Sequence, residues 1–130
     1  MKQPREQLLA AFWAAIEAAK PDQAVRQAVR SIHPPKGRTV VVGGGKAAAS
    51  MAKALEEAWE ADLSGVVVTR YGHAIQKPNK IELLEASHPV PDTASQYAGT
   101  RILKAVGGLS SDDLVIVLLS GGGSALIPYR

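Results

Sequence analysis

Apolar and polar positions change their period along this chain. Near the start, Leu8, Phe12 and Ile16 fall four residues apart, with Leu9 and Trp13 beside them. That spacing predicts a helix with one apolar face. Pro21 suits a first helical turn, and Val25, Ala28, Val29 and Ile32 mark a second, shorter helix. His33-Pro34-Pro35-Lys36-Gly37 then breaks the pattern and reads as a rigid linker. Both helices precede any strand. Residues 1–37 are therefore expected to pack outside the following domain as an N-terminal addition.

From residue 38 strand and helix periods alternate. Thr39 to Val42 is a β-branched run, closed by Gly43-Gly44-Gly45. Lys46 to Trp59 is helical, with Ala48, Met51, Ala52, Leu55, Ala58 and Trp59 on one face. Gly65 to Thr69 is a second strand. Arg70 to Asn79 is a polar loop punctuated by Gly72 and Pro78. Ile81 to Ala86 alternates partly, as a short strand near a sheet edge does. His88-Pro89-Val90-Pro91 is extended, because each proline pushes its predecessor out of the helical region. Asp92 is a good N-cap for the helix through Tyr97, Ala98, Ile102 and Val106, which stops at Gly107-Gly108. Leu114 to Leu119 is apolar at every position, so a strand buried on both faces is expected. No internal repeat is visible. Residues 38–130 thus predict an α/β domain: an open, mostly parallel sheet with helices on both faces, in three layers. Ligands of such sheets bind beyond the carboxyl ends of the strands, where both glycine-rich turns of this chain fall.

Composition narrows the classes. A 130-residue chain with 46% hydrophobic residues can build one small core and is not a disordered tract. Aromatics make up only 5%, as expected of small side chains packed between helices and a sheet. With no cysteine, disulfides and thiolate metal sites are excluded. No apolar run reaches the length of a membrane span and no secretory leader is visible, so a cytoplasmic location is expected. The net charge of +3 is mild and its basic residues are scattered, which argues against a nucleic-acid partner.

The candidate chemistry lies in the two turns. Val40-Val41-Val42-Gly43-Gly44-Gly45-Lys46 opens a strand into a helix, and Val117-Leu118-Leu119-Ser120-Gly121-Gly122-Gly123-Ser124 does so again near the end of the chain. Backbone N–H groups bared there form anion sites for phosphate or carboxylate. Gly43 to Ala48 satisfies the dinucleotide pattern G-x-G-x-x-A in the right context. The acidic ribose partner expected about 20 residues on is missing; the second strand ends in Thr69-Arg70, and an arginine there suits a 2′-phosphate. The spacing is not that of a P-loop. Lys46 is the sharpest residue. A cation in a first helical turn opposes the macrodipole, which makes sense if an anion normally lies between it and the N–H groups. The alternative is a lysine pointing into solvent. Ser120 and Ser124 bracket Gly121, Gly122 and Gly123, and their hydroxyls can donate to the same anion; Ser124 also suits a helix N-cap. The serines flank the glycines, so this is not a nucleophile elbow.

His88 lies just past the third strand, on the carboxyl side. It suits an acid–base or ligand contact, or a turn former bonded to backbone. His33 and His73 have no partners at metal-ligand spacing, so no metal site is expected from these residues.

Three segments in order carry a resemblance: Val41 to Ala48, Ala86-Ser87-His88-Pro89-Val90-Pro91-Asp92, and Leu119 to Leu126. Together they resemble the N-terminal part of the type 2 glycerate kinases, a family whose members are often called hydroxypyruvate reductases of the tartrate-utilisation type. The resemblance covers essentially the whole chain. It implies a Rossmann-like first domain, incomplete here, with the active site in a cleft against a second domain. It implies transfer of phosphate from ATP with Mg2+ to D-glycerate. Lys46 then matches a lysine that stabilises the transferred phosphate, and Ser120 to Ser124 a phosphate loop for substrate or nucleotide. The rival reading of the same family is an NAD(P)H-dependent hydroxypyruvate reductase, and a non-catalytic binding domain is a third. On this reading the chain stops before the metal ligands and general base. A fragment so cut is expected to expose apolar sheet surface and self-associate.

Overall fold

The computed structural model describes residues 3–128. In chain order the elements are α1 (Pro4–Ala18), α2 (Pro21–Val29), β1 (Thr39–Gly44), α3 (Ala48–Ala58), β2 (Ser64–Arg70), β3 (Ile81–Ala86), α4 (Thr93–Ala105), β4 (Leu114–Leu119) and α5 (Gly123–Leu126). The four strands form one parallel sheet in the order β3-β2-β1-β4. Connections leave β1 in one direction to β2 and β3, then return through α4 to place β4 on the other side of β1. The β1/β4 boundary is therefore the point where the winding reverses, and in open α/β sheets a crevice opens there at the carboxyl ends.

Strand alternation divides the core. Val41 and Val67 point to the α3 side, where they pack with Leu55, Trp59 and the α2 residues Val25 and Val29. Val68 and Ala86 point to the other side and meet Ala98 of α4 and Leu126 of α5. The helices thus lie on both faces, as the alternating pattern predicts. Small side chains set the spacing: Ala48, Ala52 and Ala98 are fully buried, so α3 and α4 approach the sheet closely.

Carboxylates tie the far ends of strands. Glu56 on α3 accepts from the backbone N–H groups of Asn79 (2.8 Å), Lys80 (3.0 Å) and Ile81 (2.9 Å), which anchors the start of β3. Asp113 accepts from the N–H groups of Arg38 (2.6 Å) and Ser110 (2.8 Å), which joins the starts of β1 and β4. Those bonds, Arg38 first, hold the Asp113 carboxyl below its ordinary range.

The structure corrects two expectations. β4 is not buried on both faces. Leu118 is buried against α3, but Val115, Val117 and Leu119 on the α4 side are 38%, 56% and 65% exposed. α4 covers β2, β3 and β1, and β4 lies at the sheet edge beyond it. Next, α3 begins at Ala48 rather than Lys46, because Ala47, at φ −102° and ψ 7°, is its N-cap and lies outside helical geometry. A short helix, α5, follows the second turn, as its strand-to-helix pattern predicts. In the N-terminal region α2 packs on α3, while α1 has no buried residue; its Leu8, Phe12 and Trp13 find no cover among the described residues.

Candidate anion site at the β1/β4 crevice

The register of β1 against β4 sets Gly43 opposite Leu118 and Gly44 opposite Leu119. Both glycine turns therefore leave the sheet side by side. They also bond to each other. The Ser120 N–H donates to the Gly44 carbonyl (3.2 Å), the Lys46 N–H to the Gly121 carbonyl (2.9 Å), and the Ala47 N–H to Ser120 Oγ (3.0 Å). The Gly45 N–H donates to the Val68 carbonyl (3.0 Å) and the Ala48 N–H to the Gly45 carbonyl (3.1 Å).

This changes the role of the first turn. The N–H groups from Gly45 to Ala48 are engaged within the protein, and Gly43, Gly44 and Gly45 are buried. These three glycines, expected to cradle a phosphate, have a packing role of their own in the structure. They are glycines because neighbouring chain leaves no room. A Cβ on Gly43 would lie 1.9 Å from the Leu118 carbonyl oxygen, and one on Gly45 would lie 2.1 Å from Ser120 Oγ. Both residues have positive φ, of 151° and 138°. The G-x-G-x-x-A match thus arises from strand–turn packing, which uses the same residue type as close approach to a pyrophosphate.

The second turn keeps an open face. A Cβ on Gly121 would meet nothing within 4 Å. Leu119, Ser120, Gly122, Gly123, Ser124 and Ile127 line a cleft of about 520 Å³. Ser124 is exposed, and it is not the N-cap of α5; that position is Gly122, in the left-handed region at φ 89°. Lys46 is exposed beside this turn, since its own N–H is bonded to Gly121. His88 arrives from the opposite edge of the sheet. Its ring lies against Gly122, where a Cβ would come within 2.7 Å of Cδ2 and 2.8 Å of Nε2. The tertiary fold thus brings Lys46, His88, Ser120, Gly121, Gly122, Gly123 and Ser124 together. His33 instead lines a groove with Arg26, Arg30 and Trp59.

One nearby cluster escaped the sequence reading. Tyr71 follows β2 and its hydroxyl donates to Asp92 Oδ2 (2.7 Å). Asp92 caps α4 by accepting from the Ser95 N–H (2.9 Å), and Ser95 Oγ accepts from the Asp92 N–H (3.1 Å). The Tyr71 hydroxyl first, then the Ser95 amide, lower the Asp92 carboxyl from 3.8 to about 2. The N-cap was visible in Asp92 alone. Its phenol partner, 21 residues away, leaves no local pattern.

A parallel α/β domain with a ligand crevice at its winding reversal, edged by two joined glycine turns, a lysine and a histidine, is the class that fold and site define. The chain matches over residues 7–130 the family model described as "Domain of unknown function (DUF4147)", and it belongs to that family. A "Putative hydroxypyruvate reductase" of Agrobacterium vitis is 54% identical over 125 residues, covering 95% of this chain and 28% of the relative. A "D-glycerate 2-kinase" of Thermotoga maritima is 43% identical over 112 residues, covering 85% of this chain and 26% of the relative. The crystal structure of a glycerate kinase from Thermotoga maritima superposes with a TM-score of 0.81 at 42% identity, over 88% of this chain and 27% of that one. The chain thus spans under a third of the length of these proteins.

Proposed function

We propose that this chain is the N-terminal part of a glycerate 2-kinase, which transfers phosphate from ATP to D-glycerate. One observation carries the reading: Lys46 is exposed at the side of an open, glycine-rich turn at the sheet's winding reversal. Phosphoryl transfer asks mainly for positioning and charge stabilisation. The second turn supplies a surface on which a phosphate or carboxylate can lie, with the Ser124 hydroxyl as a donor. The Lys46 backbone is bonded to that turn, so its ammonium is within reach of an anion held there. His88 packs against Gly122 and holds one wall of the turn. No group of three or more His, Asp or Glu side chains among the described residues is arranged to hold a metal ion, so no step is assigned to Mg2+ on this chain.

The second reading, an NAD(P)H-dependent hydroxypyruvate reductase, is favoured by the name of the relative from Agrobacterium vitis. Against it stand the engaged amides of the first turn, since the N–H groups from Gly45 to Ala48 are already bonded within the protein and are not free to donate to a dinucleotide pyrophosphate. The small-molecule partner is then D-glycerate, or hydroxypyruvate on the second reading. The reading is of a cytoplasmic enzyme of a small molecule, with no nucleic-acid or membrane partner, and the exposed Val115, Val117 and Leu119 of β4 favour self-association of this chain.

The full-length protein carrying this sequence is assayed with D-glycerate and ATP. Phosphoglycerate is expected, and Lys46→Ala is expected to lower turnover by about a hundredfold or more, the scale on which removing one transition-state donor acts. Oxidation of NADPH by hydroxypyruvate without phosphoglycerate formation refutes the kinase reading.

A further inference from the structure

Lys46 sits in a stretch with little backbone preference of its own. Three glycines precede it, and α3, which follows, has no side-chain cap: its N-cap is Ala47. Glycines leave a chain many conformations, so the place of Lys46 must be set from outside. What sets it is the turn after β4. The Lys46 N–H is held by the Gly121 carbonyl and the Ala47 N–H by Ser120 Oγ. The two peptides that flank Lys46 are thereby each held by their N–H, the second of them by Ser120. Only one of these acceptors is a side chain. Gly45 leaves the space for it, since any Cβ there would fall 2.1 Å from the same oxygen.

We infer that Ser120 is a positioning residue for Lys46. This rests on the kinase reading for its consequence, though not for its geometry. The sequence suggests a direct ligand contact for Ser120, as for Ser124. The structure separates the two serines. The Ser124 side chain is exposed on the cleft, while Ser120 Oγ accepts from the backbone of the neighbouring turn. Removing that acceptor frees the Ala47 N–H and lets the Lys46 peptide explore other orientations. The lysine ammonium would then spend less time where charge develops. Substrate affinity, set by the second turn, would stay nearly the same.

The test compares Ser120→Ala with the unaltered protein in two ways. In the 130-residue chain, amide hydrogen exchange of Ala47 is expected to speed up about tenfold, the scale of one lost neutral hydrogen bond. The amides of Val41 and Val67, deep in the sheet, serve as controls and should not change. The milder Ser120→Cys keeps the side chain's bulk but offers only a weak acceptor. It gives the same comparison if the alanine variant fails to fold. In the full-length protein, Ser120→Ala is expected to lower kcat about tenfold with KM within twofold. In the background of Lys46→Ala, the same change is expected to have no further effect on kcat, because the group it positions is gone.

Unchanged Ala47 exchange in both Ser120 variants overturns the inference. So does a tenfold rise in KM at constant kcat, which marks a direct ligand contact. A kcat loss that is undiminished in the Lys46→Ala background overturns it as well. If Lys46→Ala alone leaves turnover unchanged, the kinase role of Lys46 fails, while the exchange result still decides whether Ser120 holds the turn.

Discussion

Gly43→Ala is expected to destabilise the domain strongly, and Gly121→Ala to leave it intact. The two substitutions add the same methyl group to two glycines that look alike in the sequence. At Gly43 the methyl would lie 1.9 Å from the Leu118 carbonyl oxygen and 2.9 Å from the Leu118 nitrogen. Those atoms belong to the backbone of the paired strand, so no rotamer change relieves the clash. β1 and β4 must separate by more than an ångström, and β4 is an edge strand held on its other side by nothing among the described residues. A φ of 151° adds strain of about 1–3 kcal/mol for a residue with a Cβ. Forced overpacking adds about 1–3 kcal/mol more. The sum, about 2–6 kcal/mol, is a large part of the stability of a small domain and reaches the lower end of its range of about 5–15 kcal/mol. At Gly121 the methyl meets nothing within 4 Å, and the cost is within about 0.5 kcal/mol. Urea unfolding followed by far-UV circular dichroism reads both variants. A Gly43→Ala protein with an unchanged midpoint would mean that the residue is glycine for a ligand's sake, and the packing account of the first turn would be wrong.

Other outcomes follow from the same contacts. Glu56→Ala takes the acceptor from three backbone N–H groups at the start of β3 and is expected to cost about 1–3 kcal/mol in urea unfolding. Glu57→Ala, which breaks an exposed pair with Arg26, is expected to cost under about 1 kcal/mol; equal losses would refute the capping role of Glu56. Asp92 has a lowered pKa in the fold, so its stabilising effect is complete above its ordinary 3.8 and is lost as pH falls toward about 2. In Tyr71→Phe the largest cause of that shift is gone, and thermal melts between pH 4 and 2 should fall less steeply; identical slopes would show that the phenol does not act on Asp92. Val117→Lys places a charge on the uncovered face of β4, where Val117 is 56% exposed. Light scattering should then report a smaller mean mass than for the unaltered chain, and no decrease counts against self-association through this face.

Much of the fold was legible because it follows from local period. The alternation of Thr39 to Val42, Ala48 to Trp59 and Gly65 to Thr69 dictates strand, helix, strand whatever lies around them. The burial of β4 was not legible. Six apolar residues read as a doubly covered strand, yet which faces are covered depends on where α4 crosses the sheet, and Leu114 to Leu119 carry no trace of that. The seat of α1 was illegible for the same reason: periodicity shows an apolar face, not what it meets.

The sequence alone determined that two glycine turns end two strands of a parallel sheet, with a lysine after one and serines around the other. It determined also that His88 lies on the same side of the sheet, because a parallel strand always ends at the carboxyl edge. Only the tertiary structure decided which glycines face solvent. β4 pairs with β1, so the turn after β4 lies on the turn after β1 and takes up its N–H groups. Glycine permits the close approach of a ligand and of another backbone alike, since it lacks the Cβ that would obstruct either. At Gly43 and Gly45 the neighbour is the protein's own chain, and at Gly121 the space is open.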